Sequence, residues 1–353
     1  MTLQLYILRQ LLTALAFAIT GMVMIAIPGL AISAIQRLGG AFIGPMLGFL
    51  PLLFIGLVPY LIPLGFLLSV VSTYGRLAAE NEWTAMTAAG FSPLRLLLPG
   101  FAIAAVLGVV CCWLARDVEP RIAERKLDYR RGALVTGLQS LQPGRTKIQI
   151  GKFFLSARFR QDDVFRDVIL NIPGEKGEPD QQLLADRLSY EMDGEFVFLH
   201  AEGARKIFGQ DDAAIGNITI KRTLDSFGKG KPEKIRWKHR TSSELRAALE
   251  RGDVPAEEVS RAYYDLHHRD ASIATCVMFL LLGAPTGLLL RRGTQLGALA
   301  CAVTYALLYF LLTLHFGRGL ANAGFVAPWI CAWGTAVLGS AAGLFLTWKV
   351  ARA

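Results

Sequence analysis

A chain of 353 residues that is 53% hydrophobic, with a mean hydropathy of +0.41 and only 18% charged side chains, has to concentrate its charge somewhere. Residues 116 to 270 hold 28 of the 37 Lys/Arg and 26 of the 28 Asp/Glu, so a soluble domain is spliced into membrane segments. The net charge of +9 therefore falls mostly on the apolar parts, which excludes a nucleic-acid surface and suggests a topological bias of cations beside membrane spans.

In chain order, apolar runs long enough to cross a bilayer lie at about 11–35, 47–73, 94–115, 272–290, 296–316 and 325–348. The first outlasts a signal-peptide core and is expected to be retained, Ala31-Ile32-Ser33 being only a weak cleavage lookalike. With the N-terminus inside, Arg9, Arg76, Arg95, Arg291, Arg292, Lys349 and Arg352 fall on the cytoplasmic side, against Arg37 and Arg318 outside. Both termini are then expected in the cytoplasm and the central domain outside it. The second span carries Gly44, Pro45, Gly48, Pro51, Gly56, Pro59 and Pro63. Kinks are expected there, and two readings stay open: a helix packed inside a bundle or lining a cavity, or simple tolerance of Gly and Pro in membrane helices.

Between the second and third spans, Tyr74 to Ser92 is well punctuated. Gly90 can close a helix in the left-handed conformation, Ser92 can cap the next and Pro93 suits its first turn. On a 3.6-residue wheel Arg76 and Glu80 are four apart and can pair, whereas Glu82 projects among Ala78, Ala85 and Ala89, beside Trp83 and Met86. A lone carboxylate on a small-residue surface suits close docking to a cationic partner. The alternative is an amphipathic helix on the bilayer with Trp83 at the headgroups.

The insert alternates as half-buried strands do, at Lys147 to Ile150, Phe153 to Ala157, Val164 to Ile172, Leu188 to Met192, Phe196 to His200, Ala204 to Phe208 and Ile215 to Ile220. Asp193-Gly194 is a hairpin signal. Seven or eight such strands predict an antiparallel sandwich or jelly roll. The fold class expected is membrane α-helical, six transmembrane helices with an inserted periplasmic all-β jelly-roll domain, divided at 1–115, 116–271 and 272–353. Lys229-Gly230-Lys231-Pro232 lacks a phosphate-loop frame, Thr241-Ser242-Ser243-Glu244 resembles a capped helix start, and Ala256 to Arg269 reads as a helix running into the fourth span.

No zinc, nucleophile-elbow or Walker motif is present, and His267 and His268 diverge by about 100° on a helix. No catalytic residue, metal or cofactor is implied. The five cysteines, Cys111, Cys112, Cys276, Cys301 and Cys331, all sit in or beside apolar runs and read as small packing residues.

Gly75-Arg76-Leu77-Ala78-Ala79-Glu80-Asn81-Glu82 with Ala85 to Ser92, and Leu266-His267-His268-Arg269 leading into Leu282-Gly283-Ala284-Pro285-Thr286-Gly287, resemble segments of the LptF/LptG (YjgP/YjgQ-like) permeases of lipopolysaccharide export. The resemblance implies an ABC-type permease whose ATP hydrolysis belongs to a separate cytoplasmic ATPase dimer. It implies a second permease subunit, a paralogue or another copy, and lipopolysaccharide or a related lipid passed through the jelly roll to a periplasmic bridge protein. By the same resemblance 75–90 is the coupling helix, with Glu82 the functional glutamate, Glu80 second, and Arg76 and Trp83 beside them. Arg37, and His315 with Arg318, match cations that meet lipid phosphates near the outer ends of spans one and five; interfacial anchoring is their other reading. A membrane-anchored periplasmic assembly protein without transport activity is the rival function.

Overall fold

The computed structural model describes residues 2–38, 43–139, 148–150, 153–161, 164–172, 181–193, 196–208, 211–223, 239–290 and 295–352. They gather into two compact units, one made of 1–26, 55–123 and 236–353, the other of 27–54 and 124–235. Among the described residues six helices are long and apolar enough to cross a membrane: Leu3–Ile35, Val58–Ala79, Pro93–Lys126, Ala256–Leu289, Leu299–Ala323 and Pro328–Val350.

In chain order the helices are α1 (Thr2–Leu38), α2 (Ile43–Ile55), α3 (Val58–Ala79), α4 (Glu82–Ala88), α5 (Pro93–Trp113) and α6 (Glu119–Gln139). After the strands come α7 (Ser242–Arg251), α8 (Ala256–Leu289), α9 (Gln295–Phe310), α10 (Arg318–Ala323) and α11 (Pro328–Arg352). Widened π-helical turns, Leu114–Val118 and Leu311–Gly317, join α5 to α6 and α9 to α10. The kink expected in the second apolar stretch is a break: α2 and α3 part at Gly56-Leu57, and Pro59, with no amide to lose, sits in the first turn of α3. Residues 115 and 271 lie inside continuous helix, because the charged segments extend α5 and precede the apolar part of α8 without a breaker.

In the first unit α8 is central, packed against α3, α5 and α11. Apolar solvent gives helices no reason to associate through hydrophobicity, so close backbone approach has to supply the contact. Gly283 and Gly287, four apart, face α3: a methyl group at Gly287 would stand 2.8 Å from the Gly75 amide nitrogen and 2.8 Å from the Val71 carbonyl oxygen. Gly343 of α11 meets Leu281, and Gly108 of α5 meets the Ile273 carbonyl, in the same manner. Ile7, Leu11, Phe66, Val70, Tyr74, Leu96, Cys111, Cys276 and Leu280 fill the core between these helices. Tyr74 donates to the Leu96 carbonyl at 3.2 Å, tying α3 to α5.

In the second unit six strands form an open antiparallel meander in sequential order: β1 (Ile148–Ile150), β2 (Phe153–Gln161), β3 (Val164–Ile172), β4 (Gln181–Asp193), β5 (Phe196–Phe208) and β6 (Asp211–Thr223). Two strands expected at 196–200 and 204–208 are one. Glu202-Gly203, turn-like in sequence, is a bulge in which Gly203 takes φ +65 and its amide meets Asn217 Oδ1 at 3.3 Å. The expected count of seven or eight strands is thus corrected to six among the described residues, whose order contains no jelly-roll crossover. The hairpin at Asp193 is present, Asp193 pairing with Phe196. Phe165, Leu170, Leu183, Leu188, Val197 and Leu199 form the sheet's buried cluster. In the same unit Phe49 of α2 stacks on Tyr129 of α6 at 5.8 Å between ring centroids.

Helix α7 opens with the expected capping box: Glu244 accepts from the Thr241 amide at 3.0 Å while Thr241 Oγ1 accepts from the Glu244 amide. The Thr241 amide holds the Glu244 carboxyl below its ordinary pKa. A lowered carboxyl stabilises the fold fully above its unfolded-state pKa, and the contribution disappears as pH falls through the folded value. Glu244→Gln should therefore lower thermal stability at neutral pH, with the gap to wild type narrowing as the melt is repeated at increasingly acid pH. Gly287→Ala should cost about 1–3 kcal/mol by forcing α3 and α8 apart. Gly283→Ala should cost less, because only the side chains of Val70, Val71 and Leu67 must yield, at 3.0–3.2 Å. Thermal unfolding in detergent compares the two.

Candidate functional site

The segment between the second and third spans is not one helix. Helix α3 runs to Ala79, Glu80 caps it, and Asn81 turns the chain through a left-handed conformation (φ 59, ψ 9) before α4 begins at Glu82. Asn tolerates that region better than most residues because its short amide bonds locally. The turn divides the wheel drawn through 74–92: Ala78 is buried at the end of α3, whereas Glu82, Ala85 and Ala89 belong to the next element. Helix α4 closes as its sequence predicts. Gly90 takes φ +87, the Phe91 amide returns to the Met86 carbonyl at 3.2 Å, and Ser92, in extended conformation, precedes Pro93 in the first turn of α5.

Trp83 and Met86 turn into the protein's own core, Trp83 meeting Tyr74 edge to face with centroids 6.0 Å apart. The outer side of the segment carries exposed Arg76, Glu80, Thr84, Ala85, Ala88 and Ala89. Among the described residues no ion pair joins Arg76 to Glu80. Glu82 is half-buried and has a partner that its local sequence does not reveal: the Tyr6 hydroxyl, 76 residues earlier on α1, donates to Oε1 at 3.1 Å and Oε2 at 3.0 Å.

A second polar group gathers where α8 meets the widened turn before α10. Arg318 bonds Asp265 Oδ1 through Nη2 at 2.6 Å, and the Asp265 side chain is 7% exposed. The Tyr264 hydroxyl donates to the Thr313 carbonyl, inside that turn, and His268 stacks on the Tyr264 ring at 5.8 Å. Arg318 Nε is buried without a hydrogen-bond partner among the described residues. His315 is exposed beside Phe316. Arg37 lies in the last turn of α1, in the other unit, and its side chain is outside the described residues. A parallel pair, Arg116 to Asp270 at 2.6 Å, sits at the other widened turn. Next to Arg318 a cavity of about 450 Å³, lined by Tyr305, Leu312, Phe316, Ile330 and Leu338 among others, opens between α9 and α11. No group of three or more metal-ligating side chains occurs among the described residues.

Sequence reasoning missed Tyr6, Asp265 and Asp270. The two acids had a signal, since each lies within a turn or two of the apolar part of α8, where an unpaired carboxylate is costly. Nothing local marks Tyr6.

Six helices long and apolar enough to span a membrane, interrupted by a β-rich insert, are the architecture of a multi-pass membrane protein. The family model of the lipopolysaccharide export system permease LptF/LptG matches residues 5–349, and the chain belongs to that family. No curated protein matches it. It is accordingly a multi-pass inner-membrane permease subunit of lipopolysaccharide export, a transporter component and not in itself an enzyme, and it works with other components of the Lpt system.

Asn81→Gly should leave the melting temperature close to wild type, while Asn81→Val, forcing a β-branched residue to φ 59, should cost about 1–3 kcal/mol. Arg318→Met should cost about 3–5 kcal/mol by stranding the Asp265 carboxylate. The double change Asp265→Leu with Arg318→Met should cost less than Arg318→Met alone. Unfolding in detergent measures all four.

Proposed function

We propose that this permease is driven by a separate cytoplasmic ABC ATPase dimer that grips the turn and short helix at 80–89. The observation that carries this reading is the two-sided character of α4. Its inner side is fixed by Trp83 and Met86, while its outer side offers Glu82 beside the exposed Ala85, Ala88 and Ala89. Alanines let a partner backbone approach, and the carboxylate supplies a charge-assisted bond to a partner cation. Force applied to so firmly anchored a helix passes directly into the core it shares with α1, α3 and α5.

In this reading both termini and residues 74–92 are cytoplasmic and the central domain is periplasmic, as the excess of cations on one side predicts. A second permease subunit completes the lipid cavity. Arg37, His315 and Arg318 meet the phosphates of lipopolysaccharide or a related lipid, Arg318 through the donors that Asp265 leaves free. The β-sheet forms part of a jelly-roll path that hands lipid to a periplasmic bridge protein. Closing the cavity in step with the ATPase's nucleotide state expels the lipid.

Glu82→Arg should insert normally yet lose its ATPase on purification and cease export. An Ala85→Cys label, in a chain whose five native cysteines are replaced, should react with a membrane-impermeant maleimide only in opened cells. Retained ATPase and export in Glu82→Arg, or labelling of intact cells, would refute the reading.

A further inference from the structure

The Tyr6 hydroxyl reaches both oxygens of Glu82, at 3.1 and 3.0 Å, from a helix that is 76 residues away in sequence and joins α4 by no local connection. Tyr6 is 42% exposed and Glu82 half-buried, so burial does not force the contact. Ile7, next to Tyr6, and Leu11, a turn beyond it, are fully buried in the cluster that also holds Trp83 and Met86. The first turns of α1 and the inner side of α4 are thus seated on one core, which leaves the phenol directly opposite the carboxylate.

A glutamate carboxylate, carried on two flexible methylene groups, ordinarily samples many rotamers, and ordering it for a partner costs about 0.5–1.5 kcal/mol on binding. A donor shared between its two oxygens restricts that freedom beforehand. Each oxygen keeps a further lone pair for an incoming cation, because an ionised carboxylate has about four acceptor positions.

We propose that Tyr6 is a positioning residue for the coupling carboxylate. Its hydroxyl orients Glu82 for a cation of the ATPase and couples the first membrane span to α4. Helix α1 runs unbroken from Thr2 to Leu38, so a displacement of α4 pulls on a span through this bond as well as through the Asn81 turn into α3. The inference rests on the docking role given to Glu82.

The test uses the ATPase that co-purifies with the wild-type permease from its native membrane, and measures its dissociation constant and its rate of ATP hydrolysis in the complex. Tyr6→Phe keeps the ring and removes only the donor. It should weaken association about two- to tenfold, the rotamer-ordering cost that the hydroxyl otherwise removes in advance, with the permease's own melting temperature little changed. Glu82→Gln should weaken association as well, and adding Tyr6→Phe to Glu82→Gln should weaken it no further, a non-additivity that a merely structural tyrosine would not give. If Glu82→Gln weakens association while Tyr6→Phe has no effect, or the two losses multiply independently, the positioning role is overturned and the docking role stands. If Glu82→Gln itself changes nothing, the docking role fails and this inference fails with it.

Discussion

Helix α8 reaches its neighbours where side chains are missing, and the arrangement of the membrane unit depends on that approach. In hydrocarbon the contact between two helices gains nothing from the exclusion of water, so backbones must come near enough for dispersion to act over many atoms. Gly287 lies so close to Gly75 and Val71 that even a methyl group would meet backbone atoms of α3, which no rotamer change can relieve. Because Gly75 also belongs to the α3 end that leads into Asn81 and α4, the same contact that assembles the bundle sets where the left-handed turn and α4 begin.

Charge inside this unit obeys the same constraint. Asp265 and Asp270 ride on α8 and each is answered by an arginine from a neighbouring span, at 2.6 Å in both cases. A buried carboxylate such as that of Asp265 persists when paired and hydrogen-bonded, and both arginines lie in or directly after a π-helical turn. The extra residue of such a turn rotates the succeeding stretch of helix, here aiming a cation at α8. Arg318 is thus fixed by a structural partner and, in the function proposed, also available to a lipid phosphate.

Much of this was legible in the sequence, for reasons of length and period. Six apolar runs, the break at the Gly- and Pro-rich second stretch, the capping box at Thr241 and the closing of α4 by Gly90 all arise from local chemistry. Local chemistry also accounts for the misreadings. Glu202-Gly203 carries the residues of a turn but serves as a bulge, because continued pairing with β6 outweighs them. The wheel through 74–92 assumed one helix, and a single left-handed residue at Asn81 redirected half of it. Arg76 and Glu80 had the spacing of a pair, yet both face solvent, where such a pair gains little. Tyr6 and Glu82 come together only through tertiary packing, so no window of sequence contains their relationship.

The hydroxyl of Tyr264, given to the carbonyl of Thr313, lies within the widened turn that precedes Arg318. A surplus residue in a helix can migrate along it, one peptide at a time, as long as every position is equally tolerated. An anchor from another helix on one carbonyl removes that equivalence, so the defect is held in place and α10, which follows it, keeps a fixed rotational phase against α8. The tyrosine thereby ties the phase of one helix to that of the other across a single carbonyl.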